Sequence, residues 1–163
     1  MGSLLAIDLG IKTGLALYGP EGRLRWYRSK NYGTAAALKR GANTLLNSIP
    51  DLSFIIFEGG GLLEAIWERE ANRRKIPVKQ ISAEQWRHKL LYPREQHTGF
   101  QAKHYADDLA RRIIRWSGIS RPASLRHDTA EAILIGFWAV LDAGWLREIP
   151  QGLRRGQLTI RDE

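Results

Sequence analysis

The chain of 163 residues has no cysteine and a single methionine. The first absence excludes a disulfide framework and any thiolate metal site, and it fits a reducing cytosol. No uninterrupted apolar run is long enough to cross a bilayer, and the N-terminus lacks the basic-then-apolar order of a signal peptide. Acids are scarce relative to bases: 17 Asp and Glu stand against 25 Lys and Arg, a net charge of +8. This imbalance points to a polyanionic partner, nucleic acid ahead of an anionic membrane surface. With acids in short supply, one that sits inside an apolar stretch needs a physical reason.

What is present is ordinary for a soluble globular chain, 44% hydrophobic and 26% charged. The length suits one domain with a sizeable core, and no internal repeat is visible. The pattern predicts that domain over residues 1–146. A basic tail with little periodicity, expected to be partly flexible, covers residues 147–163 and carries Arg154, Arg155 and Arg161.

The run Leu4-Leu5-Ala6-Ile7-Asp8-Leu9-Gly10 reads as a strand buried on both faces, with a carboxylate at its far end. An unpaired charge is expensive there, so Asp8 must meet a partner, a metal or water. Two further strands follow, at 14–18 and 24–29, linked by Gly19-Pro20-Glu21-Gly22. Leu38, Ala42, Leu45, Leu46 and Ile49 recur at helical steps, and Pro50 stops that helix. Phe54-Ile55-Ile56-Phe57 then repeats the first pattern: an apolar strand, the carboxylate Glu58, and glycines 59–61. A helix is expected over 62–75, a short strand at 78–81, and a helix opened by the capping box of Ser82 and Gln85 and stopped by Pro93. After the polar stretch 92–101 comes an amphipathic helix ended by Gly118, and finally a helix from His127 to Trp145 that is apolar on almost every face and hence buried.

Three meandering strands followed by strands alternating with helices imply an α/β fold. Right-handed crossovers make the first, fourth and fifth strands parallel neighbours in a five-stranded mixed sheet of order 3-2-1-4-5. The two most apolar strands are then central and adjacent, and Asp8 and Glu58 approach one another. Asp128 and Glu131, three apart, project from one face at the start of the last helix. Each acid alone has a plain explanation as a turn residue, a solvated strand end or a helix-start charge. Together they fall on the two central strands and on the helix expected to cross them. Crowded carboxylates repel, and a divalent cation makes them tolerable; an oxygen-only set favours Mg²⁺ or Mn²⁺ over zinc. Two such ions about 3.5–4 Å apart suit in-line hydrolysis of a phosphodiester.

The segments Ala6-Ile7-Asp8-Leu9-Gly10 with Thr13-Gly14-Leu15-Ala16, Ile55-Ile56-Phe57-Glu58, and Asp128-Thr129-Ala130-Glu131-Ala132 resemble, in order, motifs of the RuvC family of Holliday junction resolvases, in the ribonuclease H-like superfamily. The resemblance implies a Mg²⁺-dependent homodimer that nicks opposing strands of a four-way DNA junction, with Mn²⁺ able to substitute, in a bacterial or phage cytoplasm. It implies that Asp8, Glu58, Asp128 and Glu131 are catalytic metal ligands for two ions. Pro77-Val78-Lys79-Gln80 and Gln101-Ala102-Lys103 fall where the family has a strand and a basic residue near the scissile phosphate, which makes Lys103 a candidate phosphate contact. The chain departs from the pattern at Glu131, where bacterial members usually have Asp, and at Gly59-Gly60-Gly61, which lacks their junction-centre aromatic.

Lys12, Lys75, Lys79, Lys89 and Arg94 are scattered, each alone reading as solvated surface, but several lie on loops expected to border the acidic cleft and all are candidate nucleic-acid contacts; helix 62–75 is a candidate dimer surface, with core packing and a solvated charged face as its plain alternative. His127, beside Asp128, reads first as a helix-start residue and second as a group that assists a metal-bound water or a leaving group, and His88, His97 and His104 have no ligand spacing. Other readings are a ribonuclease of the same superfamily and a non-catalytic module that binds junctions or RNA. A third follows from Ile7-Asp8-Leu9-Gly10 with Lys12-Thr13-Gly14, which also resembles the phosphate turn of actin-like and sugar-kinase ATPases, although those need a second domain.

Overall fold

The computed structural model describes residues 2–91 and 97–154. Arg94 and the end of the expected tail, residues 155–163, lie outside the described residues. The strands are β1 (Ser3–Asp8), β2 (Lys12–Tyr18), β3 (Leu24–Asn31), β4 (Leu52–Glu58) and β5 (Val78–Ile81). The helices are α1 (Ala35–Asn47), α2 (Leu62–Arg73), α3 (Ala83–Leu90), α4 (Gly99–Ser117) and α5 (His127–Asp142).

The sheet has the expected order, β3-β2-β1-β4-β5. β1 is antiparallel to β2 and parallel to β4, and β4 is parallel to β5. The two central strands are apolar throughout because both faces are covered. Leu4, Ala6 and Ile56 point to one core with α3, α4 and α5, whereas Leu5, Ile7, Ile55 and Phe57 point to another with α1 and α2. The period of two along each strand sorts them. It also puts Asp8, two positions on from Ala6, and Glu58, two on from Ile56, on the α5 side.

α5 lies against β2 and β1 with residues 129–140 buried, which explains its lack of a polar face. Two glycines permit the approach. A Cβ on Gly136 would stand 2.4 Å from a ring carbon of Tyr18, and one on Gly14 would stand 2.0 Å from the backbone oxygen of Asp128. Either would push the helix off the sheet. Tyr18, fully buried, donates its hydroxyl to the carbonyl of Ile133 at 2.5 Å and fixes the crossing further.

Local signals set several boundaries. The Ser82–Gln85 capping box forms at α3. Thr98 caps α4 by accepting from the Gln101 amide at 3.0 Å, so the helix opens at Gly99, ahead of the expected polar stretch's end, and Gly118 closes it in the left-handed conformation. β3 continues two residues past Ser29 because it stays paired with Lys12 and Thr13 of β2. α5 ends at Asp142, three residues before Trp145. The first part of the expected tail is docked: Leu153, in a turn of 3₁₀ helix at Gln151–Leu153, is buried, and Arg112 of α4 donates to the carbonyl of Gly152 at 3.1 Å.

Candidate metal centre

Asp8 and Glu58 end neighbouring parallel strands and are register partners. Glu131 comes down on them from the second turn of α5. Carboxylate oxygens of these three residues lie within 4.8 Å of one another. Oxygens sharing one Mg²⁺ at about 2.1 Å are up to about 4.2 Å apart. The triad is therefore close to a ligand set, oxygen-only and lacking the nitrogen or sulfur donors that zinc prefers.

The electrostatics show what the cluster is short of. Burial, reinforced by the charges of Glu131, Glu58 and Asp128, pushes Asp8 up to about 8, and its side chain bonds to that of Glu131. Burial also raises Glu58, although an indole bond from Trp86 works against it. Burial acts to raise Glu131 too, but hydrogen bonding by His127, the charges of His127 and Arg87, and the bond from Asp8 outweigh it and hold Glu131 below the usual range. The raised Asp8 and the lowered Glu131 favour the proton of their shared hydrogen bond on Asp8. A proton stands where a divalent cation would serve three oxygens at once, so the donor chemistry fits such an ion.

Residues from α3 and α5 fix the carboxylates. Trp86, fully buried, donates its indole N–H to Glu58 Oε2 at 2.9 Å. Arg87 Nη2 lies 3.5 Å from Glu131 Oε1, and His127 Nε2 lies 2.9 Å from the same oxygen. Gln80 donates to the carbonyl of Gly59, tying down the loop after Glu58. Trp86 and Arg87 escape sequence reasoning because their targets are distant in sequence. The one available signal was an aromatic and a cation in the first turns of a capped helix that follows a strand ending beside Glu58. His127, read as a helix-start residue, also contacts the triad.

The other predicted residues are placed as follows. Asp128 adds its charge to the field at Asp8 but is outside the triad, accepting from Ser29 Oγ and from Thr129 Oγ1 at 3.1 Å each. Lys12 is exposed at the start of β2, and Lys103 is exposed near the start of α4. Lys79 is held by Asp142 at 2.9 Å and sits over the ring of Trp138, near the other end of α5. Lys75 follows the end of α2 with a positive φ of 57°, and Lys89 is exposed in the last turn of α3. Among the described residues, no helix is long and apolar enough to cross a membrane.

The fold is similar to that of T. thermophilus RuvC solved in complex with a Holliday junction substrate. The TM-score is 0.63 over 88% of this chain and 95% of that one, at 15% sequence identity. No family model and no curated protein matches the sequence. The chain has the ribonuclease H-like fold, and the carboxylate cluster lies at the ends of its central strands.

Proposed function

We propose that the protein is a Mg²⁺-dependent endodeoxyribonuclease that cuts branched DNA, resolving four-way junctions. The observation that carries this reading is the convergence of Asp8, Glu58 and Glu131, from three separate elements, on a fold shared with a junction-bound protein. Asp8, Glu58 and Glu131 would hold one cation, and Asp128 would join Asp8 in holding a second. Bound there, divalent cations supply a more acidic attacking water and neutralise charge on the phosphodiester as it reacts.

The chain's own residues supply position. Trp86 holds one oxygen of Glu58 and so fixes the orientation of that carboxylate beside Asp8. His127 and Arg87 hold Oε1 of Glu131, so that carboxylate stays charged inside a poorly solvated site. Lys103 and Lys12 are the cations assigned to substrate phosphates; Lys75, Lys89 and Arg94 contribute to the wider basic field, as does Lys79 when its pair with Asp142 opens. Such contacts position DNA and make binding fall with salt.

A homodimer through α2 belongs to the same reading. Its support is Leu62, 72% exposed, beside a groove of about 240 Å³ lined by Lys39, Ala65, Ile66 and Arg69. Sedimentation at several protein concentrations tests it.

The decisive assay offers a synthetic four-way junction, plain duplex and an RNA–DNA hybrid to wild type and Asp8→Asn, with Mg²⁺ or Mn²⁺. Paired, symmetric nicks on the junction that disappear in the variant are expected. Cleavage undiminished by Asp8→Asn removes the site assignment, and preference for the hybrid moves the reading to a ribonuclease.

A further inference from the structure

The edge strand β3 carries a row of side chains that the carboxylate centre does not use. Trp26, Arg28 and Lys30 alternate along it and so share one face, and Tyr32 follows just past its end. Trp26 and Tyr32 are half-buried against the core beneath α1 and α2. The guanidinium of Arg28 lies over the Trp26 ring, 4.1 Å from its centroid, and the ammonium of Lys30 lies 5.7 Å from the centroid of Tyr32. Both cations are exposed, and among the described residues neither forms an ion pair with a carboxylate. By contrast Arg25, also on β3, is tied to Asp51 at 2.9 Å.

Charges on an edge strand commonly serve to stop another strand from pairing there. That task needs no fixed orientation. Here each cation is laid on an aromatic ring, which limits its rotamers and lowers the entropy lost when it grips an anion. Two residues of strand separate the cations by about 6.6 Å, on the scale of successive phosphates along an extended nucleic-acid strand. Ser29, between them, faces the other way and donates to Asp128 Oδ2. One strand thus bears the cation pair on one face and supports an acid beside the carboxylate centre on the other.

We propose that β3 is a phosphate track, with Arg28 and Lys30 each holding one of two successive phosphates of a DNA strand that runs along this edge of the sheet, and with Trp26 and Tyr32 as positioning residues for the two cations. The proposal deepens the nuclease reading and rests on it for the identity of the nucleic acid.

The test measures binding of a labelled four-way junction to the full chain by fluorescence anisotropy, in EDTA, between 50 and 200 mM salt. Arg28→Gln with Lys30→Gln keeps the strand's length and polarity, and circular dichroism checks the fold. The double variant is expected to weaken binding at least tenfold at the low-salt end. It should also flatten the slope of log affinity against log salt by about 1.8, the equivalent of two phosphates. Trp26→Leu should weaken binding severalfold with the slope unchanged, since both charges remain. A slope that the double variant leaves unmoved overturns the track, and so does a larger loss on RNA than on DNA. Nicking with Mg²⁺ is scored separately. A flattened slope without wild-type nicking keeps the track and sinks the nuclease reading, whereas nicking with an unmoved slope does the reverse.

Discussion

Two settings for carboxylates, one buried and one half-buried, occur on opposite sides of one sheet. Glu70 on α2 is 1% exposed, and Arg74 and Arg73 neutralise it at 2.9 and 3.2 Å. Arg74 reaches onward to Asn43 and Asn47 of α1 at 2.7 and 2.6 Å, so the charge also clamps two helices together. The bond from Arg74 holds Glu70 below the usual carboxylate range, with burial acting against it. Asp8, Glu58 and Glu131 are grouped with one another instead, and Asp8 rises to about 8. Glu70 has its counter-charges at the end of its own helix, in Arg73 and the capping residue Arg74. In the triad, Arg87 and His127 both serve Glu131, and Asp8 makes do with a proton. A fold able to neutralise a buried acid fully has left three acids short of positive charge, which is the arrangement that an external cation completes.

The contrast breaks most sharply at Asp8. Asp8→Asn is expected to reduce metal-dependent nicking by at least about 10³-fold, by removing a ligand shared at the centre. The same change should raise the melting temperature of the protein in EDTA at pH 8, because an amide carries no buried charge. Scanning calorimetry and a nicking time course on one preparation check both halves, and loss of stability together with activity would mean that Asp8 is structural.

At the other setting the expectation inverts. Arg74→Met leaves Glu70 buried with Arg73 alone and should cost about 2–4 kcal/mol of folding stability. Urea titration measures this, and the nicking rate of the folded fraction should stay within about twofold of wild type.

Acidity separates the two settings without mutation. Asp8 is raised in the folded state, so its contribution to stability is fully present below the unfolded carboxylate value and is lost as pH rises through about 8. Glu58, also raised, acts in the same direction. Glu70 is lowered, so its contribution is present above the unfolded value and disappears on acidification. In EDTA, stability should therefore decline between about pH 5 and 8, Asp8 alone contributing up to about 1.4 kcal/mol per pH unit. Saturating Mg²⁺ or Asp8→Asn should flatten that decline while leaving the acid limb in place; a decline insensitive to both rules out Asp8 as its source.

The smallest effect concerns support rather than ligation. Trp86→Phe keeps the packing but frees Glu58 Oε2, and metal affinity followed by calorimetry should fall about tenfold. Unchanged affinity would make the indole bond incidental to the centre.

Much of this contrast was legible in the sequence on one side and little on the other. Asp8 and Glu58 each end an apolar strand, and apolar strands in a chain that alternates strands with helices belong in the middle of a sheet, so their meeting follows from order and burial. Glu131 follows from the spacing of two acids at the head of an apolar helix. The same spacing does not separate Glu131, in the triad, from Asp128, which turns toward Ser29; one helical turn and the partners on β3 decide that. Trp86, Arg87 and the Arg74 clamp were hidden because each depends on how two distant elements dock, and nothing local marks the docking. Thr98 marks the start of α4 in retrospect as a helix-capping residue.

The backbone contact between Gly14 and Asp128 has a consequence in time. Asp8 and Glu58 are synthesised early and Glu131 late, and no local segment contains the triad. A growing chain can form the β1–β2 hairpin, and later the β1–β4 pair, without being able to gather a divalent cation at the completed triad. The triad is complete only when the last helix settles onto the glycine. Without that helix, Glu131 is parted from Asp8 and Glu58.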